Sequence, residues 1–271
     1  MITKIGFPKL SLNFEFNRIA IKLPFLGGGI YWYALFICLG VILGFLYVAG
    51  EDKKYKGNYD DILNMIIYGL PASIICARIY YVLFRFDEYR GHLLDIFKVW
   101  EGGIAVYGSL IGALIVVLIY CSVKKLSILH YFDLAAMGFL IGQAVGRWGN
   151  FVNGEAHGGV TNLPWGMTLG SSPITYHPTF LYESLLILIG FSVIHLITRK
   201  DKKYNGFRFY CYMVWYGIVR FFIEGLRTDS LYLFSTGIRV SQLLSLLLVI
   251  AGIISLLYNA IKRKNLSKNA F

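Results

Sequence analysis

Apolar stretches long enough to cross a bilayer recur along this chain, each parted from the next by a short polar segment. A hydrocarbon core about 30 Å thick takes a helix of roughly 20 apolar residues. The pattern therefore predicts seven helices, at about 29–49, 62–84, 102–121, 131–149, 179–198, 207–226 and 239–260. Ahead of them, residues 10–17 alternate apolar and polar positions, which predicts a short strand or an interfacial stretch outside the bilayer core. The pattern contains neither an internal repeat nor a low-complexity segment. The expected architecture is an all-α integral membrane protein with seven transmembrane helices. It forms a single multi-pass domain over residues 1–271 with a small extracytoplasmic loop region.

Composition agrees with that reading. Hydrophobic residues make up 57% of the 271 and charged residues only 15%, well under the roughly 25% of a soluble domain. No soluble domain of useful size fits between the apolar runs. In a soluble protein the net charge of +11 would suggest nucleic acid. In this setting it implies loops facing anionic lipid, with membrane lipids and not nucleic acid as the partners. Cys38, Cys76, Cys121 and Cys211 lie in or beside the spans, with no CxxC pair or Cys/His cluster, so neither disulfides nor a zinc site is expected. Charged residues from Lys4 to Lys22 interrupt the N-terminus, and no cleaved signal peptide is expected.

Lysine and arginine set the direction of the spans. One set of loops and the C-terminus together hold fourteen, among them Lys53, Lys54, Lys56, Lys200, Lys202 and Lys203; the opposite loops hold six, with four more in the N-terminal segment. The positive-inside rule then puts the C-terminus in the cytoplasm and the N-terminus outside. On this topology the long 150–178 connection faces the exterior.

Polar chemistry collects where the fourth span ends. Gly146-Arg147-Trp148-Gly149-Asn150-Phe151-Val152-Asn153-Gly154-Glu155-Ala156-His157-Gly158 places an arginine, two asparagines, a glutamate and a histidine at the end of an apolar run. Ionisable groups at the membrane edge are costly and mark function. Four glycines leave backbone N–H groups open to a ligand, so the segment reads as a cradle for an anion such as phosphate. Gly138, Gly142 and Gly146 form a small-residue ridge that would admit a neighbouring helix and mount Arg147 rigidly, and Gly108 and Gly112 form a similar pair in the third span.

The sixth span carries the second signal. Tyr216, Arg220, Glu224 and Arg227 fall on an arc of about 80° on one helix face. They form either a self-satisfied ladder, with Glu224 between two arginines, or an anion site that uses the surplus positive charge. Pro71 is expected to kink the second span, where Arg78 has a structural or a functional role. His177, beside Pro178 and Thr179 at the start of the fifth span, is a proton carrier or a hydrogen-bonded structural group. No P-loop, HExxH, nucleophile elbow or acidic metal cluster is present, and no metal or cofactor is expected.

Taken together, these residues resemble the bacterial prolipoprotein diacylglyceryl transferases. Gly146 to Glu155, closing at Gly158, is similar to that family's signature. The likeness extends through Tyr31-Trp32-Tyr33, Ala77-Arg78 with Tyr80-Tyr81, and Trp100-Glu101-Gly102-Gly103. It continues in His177-Pro178 with Leu181-Tyr182-Glu183, and in Tyr216-Gly217 with Arg220, Glu224 and Arg227. The resemblance implies transfer of the diacylglyceryl group of phosphatidylglycerol to the lipobox cysteine thiol of a prolipoprotein signal peptide. The products are a thioether and glycerol phosphate, and the setting is the outer leaflet of a bacterial plasma membrane.

Such a step needs a thiolate and positive charge on the departing phosphate. The resemblance implies that Arg147 and Asn150 hold the headgroup, with Tyr33 lining the same cavity. Arg220, positioned by Glu224 and Tyr216, would act on the leaving phosphate or on the thiol. Asn153, Glu155, Gly158, His177 and Arg227 complete the implied site. Several family members carry a histidine, proposed as the base, where this chain has Tyr107, and a neutral phenol is a weak base. The proton acceptor therefore stays open between Tyr107, His157, His177, Glu155 and water. The same arginines would also suit a transporter or flippase for an anionic lipid, although no inverted repeat is visible.

Overall fold

Seven α-helices dominate the described residues: α1 (Trp32–Lys54), α2 (Tyr59–Phe84), α3 (Val106–Lys124), α4 (Ile128–Asn153), α5 (Thr179–Thr198), α6 (Phe207–Leu226) and α7 (Val240–Lys268). The computed structural model describes residues 2–23, 28–55, 57–99, 102–199, 206–228, 230–233 and 237–268. Trp100, Glu101 and the loop lysines Lys56, Lys200, Lys202 and Lys203 lie outside the described residues. Six of the helices are long and apolar enough to cross a membrane, α7 through Lys262. The other, α6, has the length but carries Arg208, Arg220 and Glu224. The chain is a mostly helical, multi-pass membrane protein.

It is not purely helical. Strands β1 (Ile2–Phe7), β2 (Leu12–Asn17), β3 (Ile19–Leu23), β4 (Gly28–Tyr31), β5 (Met167–Leu169) and β6 (Thr175–Tyr176) form two antiparallel sheets. One has the order β2-β1-β5-β6 and the other pairs β3 with β4. The alternation of residues 10–17 marks β2, whereas β5 and β6 are too short for any periodicity to register. Burial explains the larger sheet. Ile5, Phe7 and Met167 pack with Phe151, Val152 and Phe180 in one apolar cluster, joined by Phe14 and Phe16.

That cluster also corrects the fourth helix, which does not stop near residue 149 but continues to Asn153. Gly149, Asn150 and Asn153 are poor helix formers, yet the rings of Phe16 and Phe180 lie 5.4 and 4.6 Å from that of Phe151. Burying large aromatic surface offsets the weak propensity. As a result most of the signature is helical and its backbone N–H groups are occupied, so it is not the open cradle its glycines suggest. Between Gly146 and Gly158, positive φ appears only past the helix end, at Gly154 (65°) and Ala156 (56°).

Two compact units divide the chain: residues 1–48 with 132–271, and residues 49–131. In the first, α1 and α4 meet through glycines. A Cβ on Gly44 would lie 2.9 Å from the Gly138 carbonyl oxygen, and one on Gly40 would lie 3.1 Å from Gly142. Gly146 does not join this ridge: nothing lies within 4 Å of where its Cβ would be. Helix α5 packs on α4 through Met137, Leu140, Ala144, Ile187 and Ile194. Fully buried Asp133 on α4 accepts from the Gly206 and Phe209 N–H groups, both at 2.8 Å, and so caps α6.

In the second unit, α3 packs on α2 where Gly108 and Gly112 meet the Cys76 and Ala72 carbonyls. Arg78 on α2 is buried and spans four backbone carbonyls. Its Nε donates to Ile96 (2.7 Å), Nη2 to Asp95 (2.6 Å), and Nη1 to Gly102 (2.7 Å) and Gly103 (3.0 Å). Its environment is that of a loop organiser. Within that loop, the hydrogen bond from Lys98 holds the Asp95 carboxyl below its ordinary pKa. All four cysteines are free.

Candidate active site

Three helices of the first unit bring their charges together. From α4, Arg147 Nη2 donates to Glu183 Oε1 on α5 at 2.6 Å. From α6, Arg220 Nη1 stands 3.6 Å from Glu183 Oε2, and its Nη2 pairs with Glu224 Oε2 at 2.6 Å. Glu183 and Glu224 are buried, 1% and 2% exposed. Each carboxylate therefore depends on its arginine, because an unpaired charge at such a depth would be strongly disfavoured. Arg220 Nη1 is buried without a hydrogen-bond acceptor, which leaves one donor pointing at the shared carboxylate from slightly too far away.

Glu183 is the residue that the sequence reading did not place in the site. Its signal was present as a carboxylate one turn into an apolar span, but nothing in the spacing tells that it joins α4 on one side to α6 on the other. The expected ladder changes accordingly. Arg220 bridges Glu224 to Glu183, and Arg227 leaves the helical arc because α6 ends at Leu226. Arg227 has extended backbone (φ −74°, ψ 147°) and forms a β-bridge with Gly158.

The end of α4 builds a second layer. Arg147 Nη1 donates to Asn150 Oδ1 at 3.4 Å. Asn150 Nδ2 and Asn153 Nδ2 both donate to Glu155 Oε1, at 3.0 and 3.2 Å. Tyr33 on α1 covers Gly149 so closely that a Cβ there would lie 2.6 Å from the ring. Gly158 threads between two strands of chain: its N–H donates to the His177 carbonyl at 2.9 Å, and any Cβ would lie 2.7 Å from that of His177.

Of the proposed proton acceptors, His157 Nδ1 lies 3.0 Å from the Gly158 carbonyl and its ring faces Tyr176. His177 Nδ1 lies 3.3 Å from the Tyr182 hydroxyl. Tyr216 stacks on Tyr212, with ring centroids 5.5 Å apart, and Gln143 Nε2 donates to the Tyr212 hydroxyl at 3.0 Å. Tyr107 belongs to the second unit, in the first turn of α3, with its ring 6.4 Å from that of Tyr80. Among the described residues no cluster of three or more His, Cys, Asp or Glu could hold a metal.

Long apolar helices that pool half-buried arginines with buried carboxylates define a multi-pass membrane protein with a polar site among its helices. A family model for prolipoprotein diacylglyceryl transferase matches residues 18–258. A phosphatidylglycerol–prolipoprotein diacylglyceryl transferase of Clostridioides difficile is 45% identical over 249 residues, covering 92% of this chain and 98% of the relative. Proteins of the same name from Finegoldia magna and Ligilactobacillus salivarius are each 43% identical, over 238 and 255 residues. They cover 88% and 89% of this chain, and 94% and 93% of their own lengths. The chain belongs to the prolipoprotein diacylglyceryl transferase family, and it is an enzyme.

Proposed function

We propose that the chain transfers the diacylglyceryl group of phosphatidylglycerol to the lipobox cysteine of a prolipoprotein signal peptide. The cysteine sulfur bonds to the glyceryl carbon that carries the phosphate ester. The carbon–oxygen bond breaks, its electron pair leaves with glycerol phosphate, and the thiol proton is balanced by the proton gained on that phosphate. The observation that carries this reading is Arg147 and Arg220 meeting on one buried carboxylate while Arg220 Nη1 has no acceptor. A phosphate oxygen supplies that acceptor. Preorganised guanidinium groups in a low-dielectric site stabilise the charge that grows on the leaving group.

Arg147 and Asn150 hold the headgroup in this reading, beside Tyr33, Asn153, Glu155 and Gly158. Arg220, held by Glu183 and Glu224 and backed by Tyr216, stabilises the leaving phosphate. His177 and Arg227 shape the wall next to Gly158. Tyr107, His157, His177, Glu155 and water are the candidate proton acceptors. All seven helices cross the plasma membrane, α6 with its charges turned to the bundle interior. The N-terminus and the site lie at the outer leaflet and the C-terminus in the cytoplasm.

Purified protein in phosphatidylglycerol vesicles, given a lipobox peptide, tests the reading. Thioether-modified peptide is expected, and Arg147→Ala should abolish it while the protein still folds. Movement of lipid between leaflets without a covalent product would establish a transporter instead.

A further inference from the structure

We propose that Arg18, at the junction of β2 and β3, is a positioning residue of the transfer site, and that the N-terminal hairpin acts through it on Arg147. The proposal rests on the transfer reading above. Arg18 Nη2 donates to the carbonyl of Asn153 at 2.8 Å, and its Nε donates to Thr3 Oγ1 at 3.0 Å. Asn153 ends α4. Its carbonyl is one of those that an α-helix leaves without an internal donor, and a cation there also meets the negative end of the helix dipole. The next residue, Gly154, turns with φ 65° and packs on Thr3, whose Cγ2 would lie 2.8 Å from any Cβ added there. Strand β1 and Arg18 thus grip the two residues at which the signature changes from helix to turn.

Everything beyond that grip leads to the arginine. Glu155 follows the turn, and its Oε1 receives the amides of both Asn153 and Asn150. Asn150 in turn presents its Oδ1 to Arg147. Arg18 is itself anchored, because its carbonyl accepts the Trp32 N–H at the start of α1 (3.1 Å), next to the Tyr33 that covers Gly149. If the grip is released, the last turn of α4 frays and Glu155 loses the asparagine amides. Asn150 is then free to rotate away from Arg147. A displacement of about 1 Å at a site of this kind costs on the order of a hundredfold in rate.

The test uses the full chain in vesicles. Arg18→Met keeps the apolar stem but removes the donors, and should lower kcat roughly tenfold to a hundredfold with little change in KM for the lipid or in Tm. Arg18→Lys, which restores one donor, should recover part of that loss. In a Glu155→Gln background, where the turn no longer holds the amides through a carboxylate, adding Arg18→Met should cost about twofold or less, because coupled residues are non-additive. The proposal is overturned by wild-type kcat in Arg18→Met, or by a loss that multiplies in full with Glu155→Gln and follows a fall in Tm. Should Arg18→Met yield no folded protein, Thr3→Val takes its place: a few-fold lower kcat supports the proposal and an unchanged kcat overturns it. Wild-type protein that makes no thioether would refute the transfer reading instead, independently of the Arg18 variants.

Discussion

Replacing Glu183 by glutamine removes the charge that joins Arg147 to Arg220 while it keeps the side-chain volume. Glu183 is 1% exposed, and its two oxygens stand 2.6 and 3.6 Å from the two guanidinium groups, whose side chains are only 21% and 16% exposed. Removing one partner of a buried ion pair typically costs about 3–5 kcal/mol. The glutamine carbonyl can still accept from Arg147 and recovers roughly 1 kcal/mol of that. A net loss of about 2–4 kcal/mol corresponds to a fall in Tm of roughly 4–16 °C for a chain of this size. The functional effect divides. With no carboxylate competing for the guanidinium groups, KM for phosphatidylglycerol stays the same or falls, while kcat drops about tenfold or more because the arginines lose their fixed geometry. Thermal unfolding followed by circular dichroism and steady-state transfer in lipid nanodiscs would measure both. An unchanged Tm together with an unchanged kcat would refute the view that Glu183 organises the site.

Glycines at the α1–α4 contact and at the site should respond oppositely: Gly44→Val costs about 1–3 kcal/mol by forcing the helices apart, whereas Gly146→Ala, which meets open space, is neutral or gains up to about 1 kcal/mol; thermal unfolding compares them. Arg78→Lys cannot reach all four carbonyls, at about 0.5–1.5 kcal/mol for each hydrogen bond lost, and hydrogen exchange should speed up around residues 95–99 and 102–103 while α6 is unaffected. If Tyr107 takes the thiol proton, Tyr107→Phe lowers the transfer rate by about a hundredfold or more. A rate unchanged from neutral to alkaline pH removes it from the candidates.

Much of this fold was legible because a bilayer imposes one length and one composition on every span. Intervals such as 62–84 and 179–198 stand out for that reason. The end of α4 was not legible: glycine and asparagine argue against helix locally, and contacts distant in sequence, the packing of Phe151 against β1, β2 and α5 among them, carry the helix to Asn153. Strands of two or three residues such as β5 and β6 leave no periodic trace. At the site, Arg147, Arg220 and Glu224 were visible as charges in apolar runs. Glu183 had the same mark, but a carboxylate shared across three helices has no spacing rule that reveals it. Arg78 could be read either way until its four carbonyl partners were seen.

Alkyl transfer at the glyceryl carbon, with phosphate as the leaving group, leaves a distinct distribution of label. Phosphatidylglycerol labelled separately in its diacylglyceryl and headgroup glycerols, incubated with the protein and a lipobox peptide, tests it directly by mass spectrometry. Alkyl transfer puts the diacylglyceryl label on the cysteine sulfur in a hydroxylamine-resistant thioether, with one labelled glycerol phosphate released per peptide modified. A hydroxylamine-labile thioester, or headgroup label retained on the peptide, would contradict it.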